Sequence, residues 1–237
     1  MNLHWTRQGH GAPLLLLHGF TGVADDWQII FDGEDTGFEL LIPDLPGHGR
    51  SAPLTPFSFR QAAKLILADL DAMGVSKTAA IGMSGGAQVL LHLATQWPDR
   101  VGRTVQVSTA PYFPDDARKL MALSGPENQT PETWEMMRRK HPGGDDQIRT
   151  LFEISRGFAD SFDDVCFTPP LLGQIAEPAL IVHGDRDPLY PISMAIALHD
   201  AIADANLWIL PGEGHCPIFD AERTAFRYRA LRFLNSE

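Results

Sequence analysis

Cysteine is nearly absent, with only Cys166 and Cys216 in 237 residues. That excludes a disulfide-stapled scaffold, and without a paired C-x-x-C spacing neither a zinc knuckle nor a dithiol redox site is written in the chain. Two free thiols in a reducing compartment are expected instead. Positive charge is also scarce: 19 Lys and Arg stand against 30 Asp and Glu, a formal net charge of -11. A polyanionic surface repels phosphate backbones and acidic membrane leaflets, which argues against nucleic acid and membrane as partners. No apolar run approaches the ~20 residues that span a bilayer. The opening Met1–Gln8 is polar and lacks the apolar stretch of a secretory signal, so a cytoplasmic location is the expectation, and Asn128-Gln129-Thr130 reads as a chance match to a glycosylation acceptor. Internal repeats and low-complexity tracts are missing. No spacing of His, Asp and Glu suggests a metal, and Gly9-His10-Gly11 precedes a strand signal where a phosphate loop would follow one, so no cofactor is expected.

What is present is ordinary globular material, 44% hydrophobic and 21% charged, in a length that suits one domain over residues 1–237. Short apolar runs at Leu14–Leu17, Phe38–Pro43, Thr78–Met83, Thr104–Val107, Ala179–His183 and Leu207–Leu210 alternate with longer stretches of helical period. The helical stretches are Phe59–Met73, with Ser58 as cap and Gly74 as stop, then Gly86–Trp97, Ile192–Ile202 and Glu222–Leu234. Runs that are apolar on both faces suit a mostly parallel sheet flanked by helices on both faces, an α/β fold with right-handed crossovers. From Pro111 to about Pro170 the rhythm breaks. Strand signals vanish, and helical pieces near Pro131–Lys140 and Asp146–Phe158 predict a small helical cap inserted at about 112–170, since so long a structureless loop is implausible in a compact domain. Trp134, Met136, Met137, Phe152 and Phe158 fall in this segment. Most are expected to be packing residues, with some lining a pocket.

Gly82-Met83-Ser84-Gly85-Gly86 is the strongest chemical signal, a G-x-S-x-G placed between a strand and a helix. A sharp turn there projects the serine from the sheet, with glycines where a Cβ would collide as strand and helix approach. A serine hydroxyl needs a base within hydrogen-bond reach. Of nine histidines, His215 is the best placed, in the turn-rich Pro211–Pro217 loop after a strand. The base in turn needs a carboxylate to fix its tautomer. His183-Gly184-Asp185-Arg186-Asp187-Pro188 offers two aspartates. Asp187 is preferred because Pro188 biases it toward an extended backbone, while Asp185 suits the turn itself.

On Leu14–Gly22, Asp44–Ser51, Gly82–Ala87, His183–Pro191 and Gly212–Pro217 the chain resembles the α/β-hydrolase superfamily, in particular its small single-domain esterases, lactonases, carbon–carbon bond hydrolases and cofactor-free haloperoxidases. The resemblance implies an α/β-hydrolase fold, a Ser84, Asp187, His215 triad in the expected chain order, and a backbone oxyanion hole formed by the N–H groups of Phe20 and Gly85. A turn at Gly19, at a strand end, agrees with that placement. His18 and His48 lie in the same family segments and read as loop-shaping groups that bond backbone. Relatives of similar fold that carry an aspartate at the nucleophile position, haloalkane dehalogenases and epoxide hydrolases, are set aside by Ser84. The implied activity is hydrolysis of a small carboxylic ester, lactone or thioester through an acyl-enzyme, with a small acyl compound as partner. Carbon–carbon hydrolysis, acyl transfer and a non-turnover ligand-binding or regulatory role stay open as alternatives, and no oligomeric state is implied.

Overall fold

A computed structural model describes residues 3–31 and 35–236. Among them seven strands form one sheet: β1 (Trp5–Gly9), β2 (Ala12–Leu17), β3 (Phe38–Pro43), β4 (Thr78–Met83), β5 (Val101–Val107), β6 (Ala179–Gly184) and β7 (Ala205–Leu210). Their order is β1-β3-β2-β4-β5-β6-β7, with β1 antiparallel to β3 and every other pair parallel. Helices α1 (Gln28–Phe31), α2 (Phe59–Ala72), α3 (Gly85–Gln96), α8 (Ile192–Ala201) and α9 (Arg223–Leu234) accompany the sheet. Between β5 and β6 stand α4 (Asp115–Ala122), α5 (Pro131–Lys140), α6 (Gly144–Gly157) and α7 (Pro169–Leu172).

The unbroken leucines of β2 show why the sheet is buried on both faces. Leu15 and Leu17 belong to the core on the face covered by α2, α3 and α8, whereas Leu14 and Leu16 belong to the core on the face of α1 and α9. Successive side chains of a strand point to opposite faces, so helices on both sides demand apolar residues at every position. Edge strand β1 is half-exposed and bridged to β3 by an ion pair between Arg7 and Glu39. Nothing in its polar sequence signals a strand.

Helix α2 starts where foreseen. The Ser58 hydroxyl accepts the Gln61 N–H at 3.0 Å, and Gly74 follows the helix at φ +75°. A second cap comes from afar, because Asp164 accepts the N–H groups of Phe59 at 2.6 Å and Arg60 at 3.2 Å. The segment between β5 and β6 holds a small core of its own, Met137, Ile148, Leu151 and Phe152, against which Phe20 and Trp134 pack. Met136 is exposed, and Phe158 joins the main core. No helix among the described residues is long and apolar enough to cross a membrane.

Crossovers leave β2 and β4, adjacent in the sheet, toward opposite edges: β3 lies on one side and β5 on the other. Ligands in open parallel sheets bind outside the carboxyl ends of strands at such a reversal. His18–Gly22 and Ser84 both emerge there.

Candidate active site

Ser84 sits in the turn between β4 and α3 at φ +49°, a conformation that costs a non-glycine residue energy and is held by the surrounding packing. Its N–H donates to the Val107 carbonyl at 2.9 Å. A Cβ at Gly86 would overlap the carbonyl oxygens of Leu17 and His18, and one at Gly82 would lie 2.8 Å from the Ala87 Cα. Both positions therefore require glycine for the close approach of helix to strand.

The loop after β7 carries His215 to this turn. Its Nε2 lies 2.8 Å from Ser84 Oγ, and its Nδ1 lies 2.7 Å from Asp187 Oδ2. The other oxygen of Asp187 accepts the N–H groups of Leu189 at 2.8 Å and Tyr190 at 3.1 Å. Asp185 does something else: it accepts the Gly212 N–H at 2.6 Å and so anchors the loop that presents His215. A further anchor is Ser108, at φ +47°, whose hydroxyl accepts the Cys216 N–H at 2.9 Å.

Burial opposes charge on His215, but the neighbouring Cys216 sulfur and the Asp187 carboxylate favour the imidazolium more, and the ring's proton affinity is raised above the ordinary value. Burial likewise opposes charge on Asp187. Its hydrogen bond and attraction to His215, with the Tyr190 and Leu189 N–H groups, outweigh that penalty and hold the carboxyl below the usual range.

Gly19–Gly22 forms a turn closed by a Gly22 N–H to Gly19 carbonyl bond of 2.9 Å. The turn lies against the serine: a Cβ added at Gly19 would sit 3.5 Å from the Ser84 Cβ, and one added at Gly85 would sit 3.0 Å from the Phe20 nitrogen. The Gly85 N–H opens α3, where no earlier helical carbonyl can take it. Ser84, Gly85, Phe20 and His215 share one cavity of about 250 Å³, whose other walls include Phe59, Phe113, Phe158 and Tyr190. A larger groove, about 690 Å³, lies between residues 46–54 and α6. It holds none of these polar groups, so size alone does not mark the chemistry.

A family model described as the alpha/beta hydrolase family matches residues 14–226, which takes in all four loops just described. The chain belongs to that family. Among curated members, the pimeloyl-[acyl-carrier protein] methyl ester esterase of Vibrio vulnificus is 27% identical, covering 98% of each chain. Among solved structures, the enol-lactonase of Burkholderia xenovorans superposes with a TM-score of 0.79 at 20% identity, over 99% of this chain and 96% of the other. A meta-cleavage product hydrolase from Pseudomonas fluorescens gives 0.77 at 22% identity, over 98% and 94%. At such identities these two structures speak for the fold.

Two of this alpha/beta hydrolase's other histidines have loop-shaping bonds. His18 Nε2 accepts the Leu45 N–H at 2.9 Å, and His48 Nε2 accepts the Thr21 N–H at 3.1 Å. His141, at the end of α5, belongs to the same group, with its Nε2 3.1 Å from the Thr21 carbonyl oxygen. No motif surrounds it, and only a fold that brings the segment between β5 and β6 over the turn reveals it.

Proposed function

We propose that this chain is a carboxylic ester hydrolase that works through an acyl-enzyme on Ser84. The observation that carries the reading is the continuous relay from Ser84 Oγ through His215 to Asp187, with both links under 3 Å. As Ser84 Oγ attacks the ester carbonyl carbon, its proton passes to His215 Nε2, and Asp187 stabilises the resulting imidazolium. The N–H groups of Phe20 and Gly85 receive the oxyanion, each worth about 10²–10³ in rate. Collapse breaks the bond to the alkoxy group, which leaves as the alcohol with the proton from His215. Water then repeats the sequence on the acyl-enzyme, yielding the carboxylic acid and free Ser84.

In this proposal the chain is a single domain, with the helices between β5 and β6 as a cap over the cavity. A cavity of about 250 Å³ with aromatic walls favours a small, largely apolar acyl group as the partner. From the Vibrio relative we carry over the cleavage of a simple alkyl ester. The carrier protein in that relative's name is not carried over to this chain.

The test is a panel of free methyl and nitrophenyl esters of graded acyl length, run beside lactones and a vinylogous diketone. Short esters are expected to be cleaved best, and Ser84→Ala to lower kcat by roughly 10⁴–10⁶-fold. Full activity in that variant, or exclusive cleavage of the diketone, would overturn the proposal.

A further inference from the structure

We infer that His141, from the segment between β5 and β6, is a positioning residue for the oxyanion-donor turn, acting with His48 to set the Phe20 N–H. The inference rests on the ester-hydrolase reading, because it takes that amide as a donor to the reacting oxygen.

Thr21 occupies the third position of the Gly19–Gly22 turn at φ +68°, where such a turn favours glycine and a β-branched residue is strained. Imidazoles grip both backbone polar groups of this residue. Its N–H donates to His48 Nε2 at 3.1 Å, and its carbonyl accepts from His141 Nε2 at 3.1 Å. The far nitrogens of both rings reach the loop after β3: His48 Nδ1 donates to the Pro46 carbonyl at 3.0 Å, and His141 Nδ1 accepts the Gly49 N–H at 3.0 Å. Each ring is thus a rigid strut between two loops. Accepting a backbone N–H at one nitrogen leaves a single proton for the other, so each ring is neutral with a defined tautomer. Both are fully buried, which opposes charge in the same sense.

His48 belongs to one of the loops it braces. His141 does not, and through it the seating of the intervening helices bears on the donor turn. The same stretch is fastened to the same region by the Lys140 bond to Asp26 at 2.7 Å and by Gln147 Nε2, which donates to the carbonyls of Gly47 at 2.8 Å and Gly49 at 2.9 Å. Thr21 is held against its backbone preference, and the Phe20 amide is one residue away. Removing a strut lets the turn relax and moves a donor whose value depends on placement within a fraction of an ångström.

The experiment compares wild type, Ser84→Ala, His141→Asn and His141→Gln with a short-chain ester and a trifluoromethyl ketone, which binds through an oxyanion. Asn keeps an acceptor for the Gly49 N–H but falls short of the Thr21 carbonyl, whereas Gln can reach it. His141→Asn is expected to lower kcat by about 10–100-fold with KM within about twofold, and to weaken the ketone by a similar factor. His141→Gln is expected to recover most of both. The double variant Thr21→Gly with His141→Asn is expected to recover part, since glycine adopts the turn unaided. Native circular dichroism and melting identify folded variants, and if Asn does not fold the Gln variant carries the test through its ketone affinity. Unchanged ketone affinity in a folded His141→Asn, or a loss confined to KM, overturns the inference alone. Ester cleavage that survives Ser84→Ala overturns the ester-hydrolase reading, and the inference with it.

Discussion

The imidazole of His215 faces two opposed demands in the proposed mechanism. It must be neutral to take the Ser84 proton, yet the carboxylate that orients it favours the charged form. With its proton affinity raised, the ring is protonated and idle on the acid side. kcat/KM is therefore expected to fall as pH drops, through an inflection above the ordinary imidazole value of about 6.5. Asp187→Asn removes a group that raises this affinity, so the inflection moves to lower pH while kcat falls by about 10⁴-fold through loss of the correct tautomer. Asp185→Asn keeps an oxygen for the Gly212 N–H and is expected to leave both quantities nearly as they are. Profiles of kcat/KM against pH for the three proteins check this. An inflection that does not move in Asp187→Asn would mean that the carboxylate does not govern the ring. Asp187 was separable from Asp185 in the amino-acid string through Pro188 alone, and the coordinates put Asp187 on His215 and Asp185 on the loop. His141 had no such handle: its two bonds reach Thr21 and Gly49, contacts that local sequence around residue 141 cannot encode.

The buried central strands and the locally capped α2 are the plainest elements to read. β2 and β4 read as unbroken apolar runs because helices cover both faces, and α2 carried both its apolar stripe and its Ser58 cap. β1 carries no strand signal for the converse reason: Thr6, Arg7 and Gln8 lie on a half-exposed edge, with partners on one side only. α4 carries no clear signal either, since its stripe of Ala117, Leu120 and Met121 spans little more than one turn in a helix of eight residues. Helix α2 also shows what local pattern omits. Its first turn is capped by Ser58 from within and by Asp164 from the segment between β5 and β6. Asp164→Ala leaves the Phe59 N–H, in a buried residue, without its acceptor and is expected to cost about 1–2 kcal/mol, against about 1 kcal/mol for Ser58→Ala. Urea unfolding measures both. Equal or smaller loss in Asp164→Ala would mean that water replaces the distant cap at no cost.

At the scale of the whole molecule, the sheet brings strand ends from β2, β4, β6 and β7 to one rim, and buried imidazoles fasten the loops that cross it. This construction ties folding to pH. His18, His48, His92 and His141 all have lowered proton affinity, in each case chiefly through burial. In the unfolded chain each takes a proton near pH ~6.5. Below that value the unfolded state binds more protons than the native one, so stability that is complete at higher pH declines as the solution is acidified. His215 acts in the opposite sense: its raised affinity contributes below its unfolded value and fades as pH rises through the folded one. With four groups against one, the acid side is where the larger change lies, at about 1.4 kcal/mol per histidine for each unit of depression. Urea midpoints taken near pH ~7.5 and pH ~5 should therefore differ, with the lower one at acid pH and the slope m unchanged. His48→Gln, which keeps an acceptor at this position without a titrating ring, should flatten the dependence by about one proton. Midpoints that coincide at the two pH values would mean that these rings accept protons in place, which the hydrogen bonds from the Leu45, Thr21 and Gly49 N–H groups forbid for three of them, because a protonated nitrogen has no lone pair to offer.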